Sequence, residues 1–160
     1  MHPRRLIVAL AVALICALLL AGPALAARLG GADHGGRPFT TTLSGAEEVD
    51  PITGDPGAGD PDGSGLAILT VNPGQEEVCY ELSVEGITLP AIGAHIHVGE
   101  AGENGPVVVP LTPPDASGVS KGCAQVSREL ALAIIRNPED YYVNVHTTNY
   151  PNGAIRGQLP

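Results

Sequence analysis

The sequence predicts an all-β fold, an antiparallel Greek-key-like β-sandwich with one short helix. Short runs of β-branched and other apolar residues recur along the chain, and several alternate with polar residues. Clusters of Gly, Pro, Asn and Asp separate these runs at short intervals. Only one segment has the capping and apolar pattern of a helix. A chain with this pattern buries the inner faces of several short strands against one another.

The first 26 residues have the pattern of a secretory signal peptide. Arg4 and Arg5 precede an apolar run from Leu6 to Ala21, and a small-x-small cleavage site follows at residues 24–26. An uncleaved membrane anchor is the alternative, although the run is short for a span. We therefore expect a signal peptide over 1–26, a flexible lead-in over 27–37 and a folded domain over 38–160. The protein is then secreted to the extracellular space, with the periplasm or cell surface as alternatives, and has no membrane segment after cleavage.

Three strands are predicted in the first half of the domain, over residues 38–45, 65–71 and 77–84. The third alternates cleanly, with its apolar residues on one face and Glu77, Cys79, Glu81 and Ser83 on the other. Between the first two strands, residues 47–65 are dense in Gly, Pro and Asp and predict a solvated acidic loop. Dense carboxylates can also bind calcium, although their spacing does not match an EF-hand loop.

The second half adds five short strands and the helix. The strands are predicted over 94–98, 106–111, 119–126, 141–147 and 154–159. Asn104-Gly105 and Asn152-Gly153 are turn signals between them. Ser127 is a helix N-cap, an apolar stretch follows, and Pro138 ends the helix.

Charge and cysteine content limit the function. The chain has 17 acidic and 8 basic residues, for a formal net charge of −9. Because a protein with this much negative charge repels nucleic acid and anionic membranes, we expect neither as a partner. Cys79 and Cys123 are the cysteines outside the leader, and an oxidising compartment favours a disulfide between them; two buried free thiols are the alternative.

The histidines form the most informative polar pattern. His95 and His97 share one face of a predicted strand, and Asn144 and His146 share one face of another. If the two strands are close, three imidazoles converge, which is a ligand set for copper or zinc. A hydrogen-bonded structural group without metal is the alternative.

Three ordered motifs together resemble the CHRD domain family, named for the repeat in chordin. They are Thr42-Leu-Ser-Gly-Ala-Glu-Glu-Val49, then Ala94-His-Ile-His97 with Gly102-Glu-Asn-Gly-Pro-Val-Val-Val-Pro-Leu111, then Tyr142-Val-Asn-Val-His-Thr147 with Tyr150-Pro-Asn-Gly-Ala-Ile-Arg-Gly-Gln-Leu159. The resemblance spans about Phe39 to Leu159. The chain departs from the family between Val49 and Gly65, where it has a run of aspartates.

The resemblance implies a secreted, non-enzymatic β-sandwich that acts as an extracellular binding or structural module, with no cofactor required. Its partner would be an unknown protein, or the cell surface or matrix. The motif positions also include Asn144, Asn152, Gly153, Arg156 and Gly157. The alternative function is a copper- or zinc-binding domain that uses His95, His97 and His146, with metal-dependent redox activity. A looser likeness to copper/zinc superoxide dismutases supports that alternative, although a two-metal dismutase needs more ligands than three histidines.

Overall fold

A computed structural model describes residues 35–160, and these residues form an all-β domain with one α-helix. The strands are β1 Arg37–Ser44, β2 Ser64–Asn72, β3 Glu77–Glu85, β4 Gly93–Val98, β5 Val107–Leu111, β6 Val119–Gln125, β7 Tyr141–His146 and β8 Ile155–Gln158. The α-helix, α1, is Arg128–Arg136, and single turns of 3-10 helix lie at Gly45–Glu47 and Pro138–Asp140. The predicted all-β class is confirmed.

All eight strands belong to one nearly closed antiparallel sheet. Its strand order is β5-β4-β7-β8-β1-β2-β3-β6. Strands distant in sequence are therefore neighbours, as in Greek-key connections. The two edge strands approach each other where Ser120 Oγ donates to the carbonyl of Thr112 at 2.7 Å. β5 is one edge strand, and its Pro110 suits an edge because proline cannot donate to a ladder.

The core lies on the inner face of the sheet. Alternation along each strand directs apolar side chains inward, and many of them are fully buried, including Leu69, Leu82, Ile96, Val143 and Ile155. The helix begins after Ser127, whose side chain accepts from the Leu130 N–H at 3.1 Å. It buries Ala131 and Ile134 against the core, so the predicted helix is confirmed.

Two loop predictions are corrected by the structure. The acidic loop is partly docked rather than solvated, since Glu48 and Val49 are buried. Asn104-Gly105 does not form a two-residue hairpin turn, because β4 ends at Val98 and β5 starts at Val107. Glycine is needed at 105 because a Cβ there would lie 1.6 Å from the carbonyl oxygen of Val98.

The predicted leader and most of the lead-in lie outside the described residues. Arg37, the last residue of the predicted lead-in, is already the first residue of β1. Within residues 35–160, no helix is long and apolar enough to cross a membrane.

Candidate functional site

A polar surface lies on the outer face of β4, β7 and β8, opposite the core. Because side chains alternate, Tyr142, Asn144 and His146 of β7 share this face. Strand β4 pairs with β7 in antiparallel register, and its outward residues complete the surface. The opposed pairs are Gly93 with His146, His95 with Asn144, and His97 with Tyr142. The two histidine-bearing strands are therefore direct neighbours, as the metal-site hypothesis requires.

The three histidines converge on this surface. One nitrogen from each ring lies within 4.8 Å of the nitrogens from the other two. His95 Nδ1 is 3.1 Å from His146 Nε2, and the His95 and His97 ring centroids are 5.5 Å apart. His97 is buried, whereas His95 and His146 are half-buried. The cluster is therefore closed to solvent at His97 and more open to solvent at His95 and His146.

Main-chain carbonyls fix the orientation of two of these rings. His97 Nδ1 is 2.9 Å from the carbonyl oxygen of Gly105, and His146 Nδ1 is 3.1 Å from that of Pro151. Since a carbonyl can only accept, each Nδ1 carries the proton and each Nε2 keeps its lone pair. The His146 lone pair accepts from His95 Nδ1–H in this arrangement. His97 Nε2 is buried and has no hydrogen-bond partner among the described residues.

The environment keeps all three imidazoles neutral at neutral pH. Burial is the main cause in each case, because it disfavours the charged form. It lowers the pKa of His146 to about 4, with the nearby His95 acting in the same direction. Burial and then the neighbouring His97 lower the pKa of His95. Burial also lowers the pKa of His97, although its bond to Gly105 opposes this. Neutral rings are the form that binds a metal ion.

One of these distances fits a pair of ligands on a transition-metal ion. At metal–nitrogen distances of about 2.0–2.1 Å, two ligand nitrogens are separated by roughly 2.9 Å at a right angle and 3.4 Å at a tetrahedral angle. The 3.1 Å separation between His95 Nδ1 and His146 Nε2 lies between these values, and His95 Nδ1 would give up its proton to become a ligand. Carbonyl bonds to the other ring nitrogens are the usual outer partners of metal-bound histidines. His97 Nε2 is buried without a hydrogen-bond partner, and a metal ion would bind its lone pair.

One other group of metal-ligating residues occurs between residues 35 and 160, and it is Glu77 with Cys79 and Cys123. The two cysteines are joined in a disulfide, which confirms the predicted pair. They are directly opposed on β3 and β6. The aspartates of the acidic loop do not form such a group within the described residues. Asp50 Oδ1 instead accepts from the Ile52 and Thr53 N–H groups within its own turn.

Tyr142 lies between His97 and Arg156. Its ring stacks on His97 with centroids 4.8 Å apart and planes 10° apart. The Arg156 guanidinium carbon lies 3.4 Å from the centroid of the same ring. The Tyr142 hydroxyl accepts from the Gly105 N–H at 3.1 Å. A buried cation, an aromatic ring and an imidazole therefore form one continuous stack.

Arg156 binds mainly to main-chain carbonyls. Its guanidinium donates to the main-chain carbonyls of Glu103 and Glu100 at 2.7 and 2.9 Å, and to Gln158 Oε1 at 3.2 Å. Arg156 is only 1% exposed. Its role here is to hold the loop between β4 and β5 against the sheet.

Asn144 is hydrogen-bonded to the buried carboxylate of Glu48. Asn144 Nδ2 donates to Glu48 Oε2 at 3.1 Å, and both residues are 2% exposed. Glu48 Oε1 and Asn144 Oδ1 are buried without partners among the described residues. Burial raises the pKa of Glu48 to about 7, although the charge of Arg156 and the Asn144 bond oppose the shift.

The remaining motif residues have structural positions. Asn152 is exposed in the turn that ends with the Gly153 N–H donating to the Tyr150 carbonyl at 3.2 Å. Gly153 has φ +147°, and a Cβ there would lie 2.4 Å from Glu48 Oε2. A Cβ on Gly157 would lie 2.1 Å from the Thr42 carbonyl oxygen. Both glycines therefore permit close packing.

Sequence reasoning missed three contributors to this surface. Glu48 was assigned to a solvated loop, and its burial has no local signal in the sequence. Gly93 and Tyr142 did have a signal, because each shares a strand face with a histidine, Gly93 two residues before His95 and Tyr142 four residues before His146.

Comparison with known families agrees with this fold and with the motifs. Residues 39–159 match the CHRD domain. No curated protein and no solved structure matches the chain. With most of its length matched, the chain belongs to the CHRD domain family.

Proposed function

We propose that this CHRD domain is a secreted, non-catalytic module that binds one copper or zinc ion through His95, His97 and His146. The convergence of three neutral imidazoles, two of them oriented by main-chain carbonyls, is the observation that supports the proposal. A purely structural cluster would satisfy its buried donors and acceptors internally. The partnerless buried Nε2 of His97 favours a ligand over that alternative.

The donor set selects the class of metal. Imidazole nitrogens suit copper and zinc, whereas calcium and magnesium take oxygen ligands. For one set of nitrogen ligands, Cu²⁺ binds more tightly than Zn²⁺. We therefore expect both ions to bind at this site, with copper the tighter.

An oxidising extracellular compartment is part of the proposal. The Cys79–Cys123 disulfide supports it, since disulfides persist outside the reducing cytosol. The signal peptide remains a prediction from the sequence. So does a protein, matrix or cell-surface partner, to which we assign no residue.

A single ion is proposed rather than a dismutase centre. A two-metal dismutase needs a bridging histidine and an aspartate beside its other ligands. The histidine cluster contains all the histidines between residues 35 and 160. Redox chemistry at one copper ion stays a separate hypothesis, and no reaction is assigned here.

Metal titration of the purified protein, prepared without a metal-binding tag, tests the proposal. We expect one Cu²⁺ per chain, an electron paramagnetic resonance spectrum with nitrogen hyperfine coupling, and displacement of zinc by copper. His146→Gln should weaken copper binding at least tenfold, because it removes one of three ligands. Thr148→Ala, an exposed site just beyond β7, is the matched control and should bind as the wild type does.

Two results would overturn the proposal. One is the absence of stoichiometric copper or zinc binding by folded wild-type protein. The other is binding that is unchanged in folded His146→Gln and His95→Gln variants. Calcium binding that is insensitive to these substitutions would instead locate a site on the aspartate loop.

A further inference from the structure

Gly93 occupies a special position beside the histidine cluster. It is the first residue of β4, lies directly opposite His146, and shares the outer face with His95 two residues later. Its φ is not in the left-handed region that favours glycine. Glycine in a strand also weakens the strand, so local backbone conformation does not explain the residue.

The missing side chain leaves space against the metal-facing edges of two rings. A Cβ at position 93 would lie 3.2 Å from His95 Cε1 and 3.4 Å from His146 Cδ2. The first carbon joins the two nitrogens of its ring, and the second is bonded to Nε2. A methyl group here would therefore press on atoms that adjoin the donor nitrogens. The other end of the cluster is closed, because His97 is buried and stacked on Tyr142.

We propose that Gly93 keeps open a coordination position for a small nitrogen- or oxygen-donor ligand on the bound metal ion. The inference rests on the proposed metal-binding function and specifies the ligand that the site accepts. Three protein ligands leave at least one position free on copper or zinc, which is the arrangement of an exchangeable site rather than a closed structural one. The bound ion carries its own positive charge, so neutral and anionic donors can both occupy that position.

Imidazole and azide are suitable probes for the copper-loaded protein, because one is neutral and the other is an anion. Each is titrated while the copper absorption and paramagnetic resonance spectra are recorded, and ultrafiltration checks that copper stays bound. We expect both probes to bind the copper-loaded wild-type protein. Gly93→Ala should weaken imidazole binding at least tenfold while changing copper affinity less than about threefold.

Gly122→Ala is the matched control. Gly122 also lies in a strand with ordinary φ, and a Cβ there would be 3.0 Å from Tyr80 Oη. The control therefore introduces a comparable crowded methyl group on β6, at the other end of the strand order. It should leave both copper and imidazole binding unchanged.

The outcomes separate this inference from the proposed function. Failure of the wild-type protein to bind copper would overturn both. Normal copper binding without imidazole binding would overturn this inference alone, as would equal imidazole affinity in the wild type and Gly93→Ala. Loss of copper itself in Gly93→Ala would also overturn this inference, because it would show that the glycine serves ligand geometry rather than access.

Discussion

Replacing Glu48 by Gln should remove a pH-dependent loss of stability from this domain. The carboxyl group is 2% exposed, and one of its oxygens has no partner among the described residues. Protonation would make that oxygen a donor, which is what the partnerless Asn144 Oδ1 lacks. A glutamine at position 48 keeps the shape, supplies two N–H donors and cannot ionise.

The direction of the pH effect follows from the raised pKa. Burial raises the pKa of Glu48 from 4.5 to about 7, so between these pH values the folded protein holds a proton that the unfolded chain releases. The contribution of Glu48 to the free energy of unfolding is therefore fully present below pH 4.5 and is lost as pH rises through 7. At about 1.4 kcal/mol per pKa unit the total is about 3 kcal/mol, most of which lies between pH 5 and pH 8.

Urea unfolding of metal-free protein at pH 5, 6.5 and 8 measures this effect. The free energy of unfolding of Glu48→Gln relative to wild type should rise by about 2–3 kcal/mol from pH 5 to pH 8. Taking the difference at each pH cancels the opposite pH dependence of the histidines. Glu47→Gln, at the exposed neighbouring position, is the control and should show a flat difference. A flat difference for Glu48→Gln as well would refute the assignment of a neutral buried acid.

Three further predictions follow from contacts and pKa shifts. Gly153→Ala should lower the free energy of unfolding by about 3 kcal/mol, because its methyl group clashes with the Glu48 carboxylate. The control is Gly102→Ala, which also has positive φ but meets no atom within 4 Å, and it should lower the free energy of unfolding by about 1 kcal/mol. Equal losses for the two variants in urea unfolding would contradict the clash. Replacing Cys79 and Cys123 by Ser should lower the free energy of unfolding by up to about 4 kcal/mol, because the disulfide spans 44 residues. A loss below about 1 kcal/mol would contradict a stabilising role of the disulfide. Because burial lowers the pKa of all three clustered histidines, copper affinity should fall less than about tenfold from pH 7 to pH 5.5 in chelator competition. A site of three histidines with ordinary pKa values near 6.5 would bind copper roughly 500-fold more weakly at pH 5.5 than at pH 7, and such a loss of affinity would refute the burial argument.

The convergence of the histidines was predictable in part. Alternation along a strand is local, so the shared face of His95 and His97 and the outward direction of His146 could be read from the sequence. The pairing of β4 with β7 could not, because His95 and His146 are 51 residues apart and tertiary contacts decide which strands become neighbours. Register matters as much as pairing. A slip of one residue would move His146 to the core face.

The acidic loop shows why other parts were not predictable. Its Gly, Pro and Asp content indicates a solvated loop, and most of its side chains are exposed. Glu48 is buried because Gly59 and Gly153 lack side chains at the points where its own side chain packs. One of these glycines is in another part of the chain, so composition within the loop carries no sign of the burial. Gly105 is a second example. The sequence indicates a hairpin turn at this glycine, whereas the structure requires the glycine for its close approach to Val98.

The loop between β4 and β5 connects the buried arginine to the histidine cluster. Arg156 binds the carbonyls of Glu103 and Glu100 in this loop, and the Gly105 carbonyl from the same loop sets the tautomer of His97. Tyr142 reinforces the connection, since it contacts Arg156 and His97 with its ring and Gly105 with its hydroxyl. Arg156 thus positions a metal-ligand candidate without contacting the metal site itself. This link gives the motif arginine a physical role that a surface salt bridge, worth about 0–1 kcal/mol, would not provide.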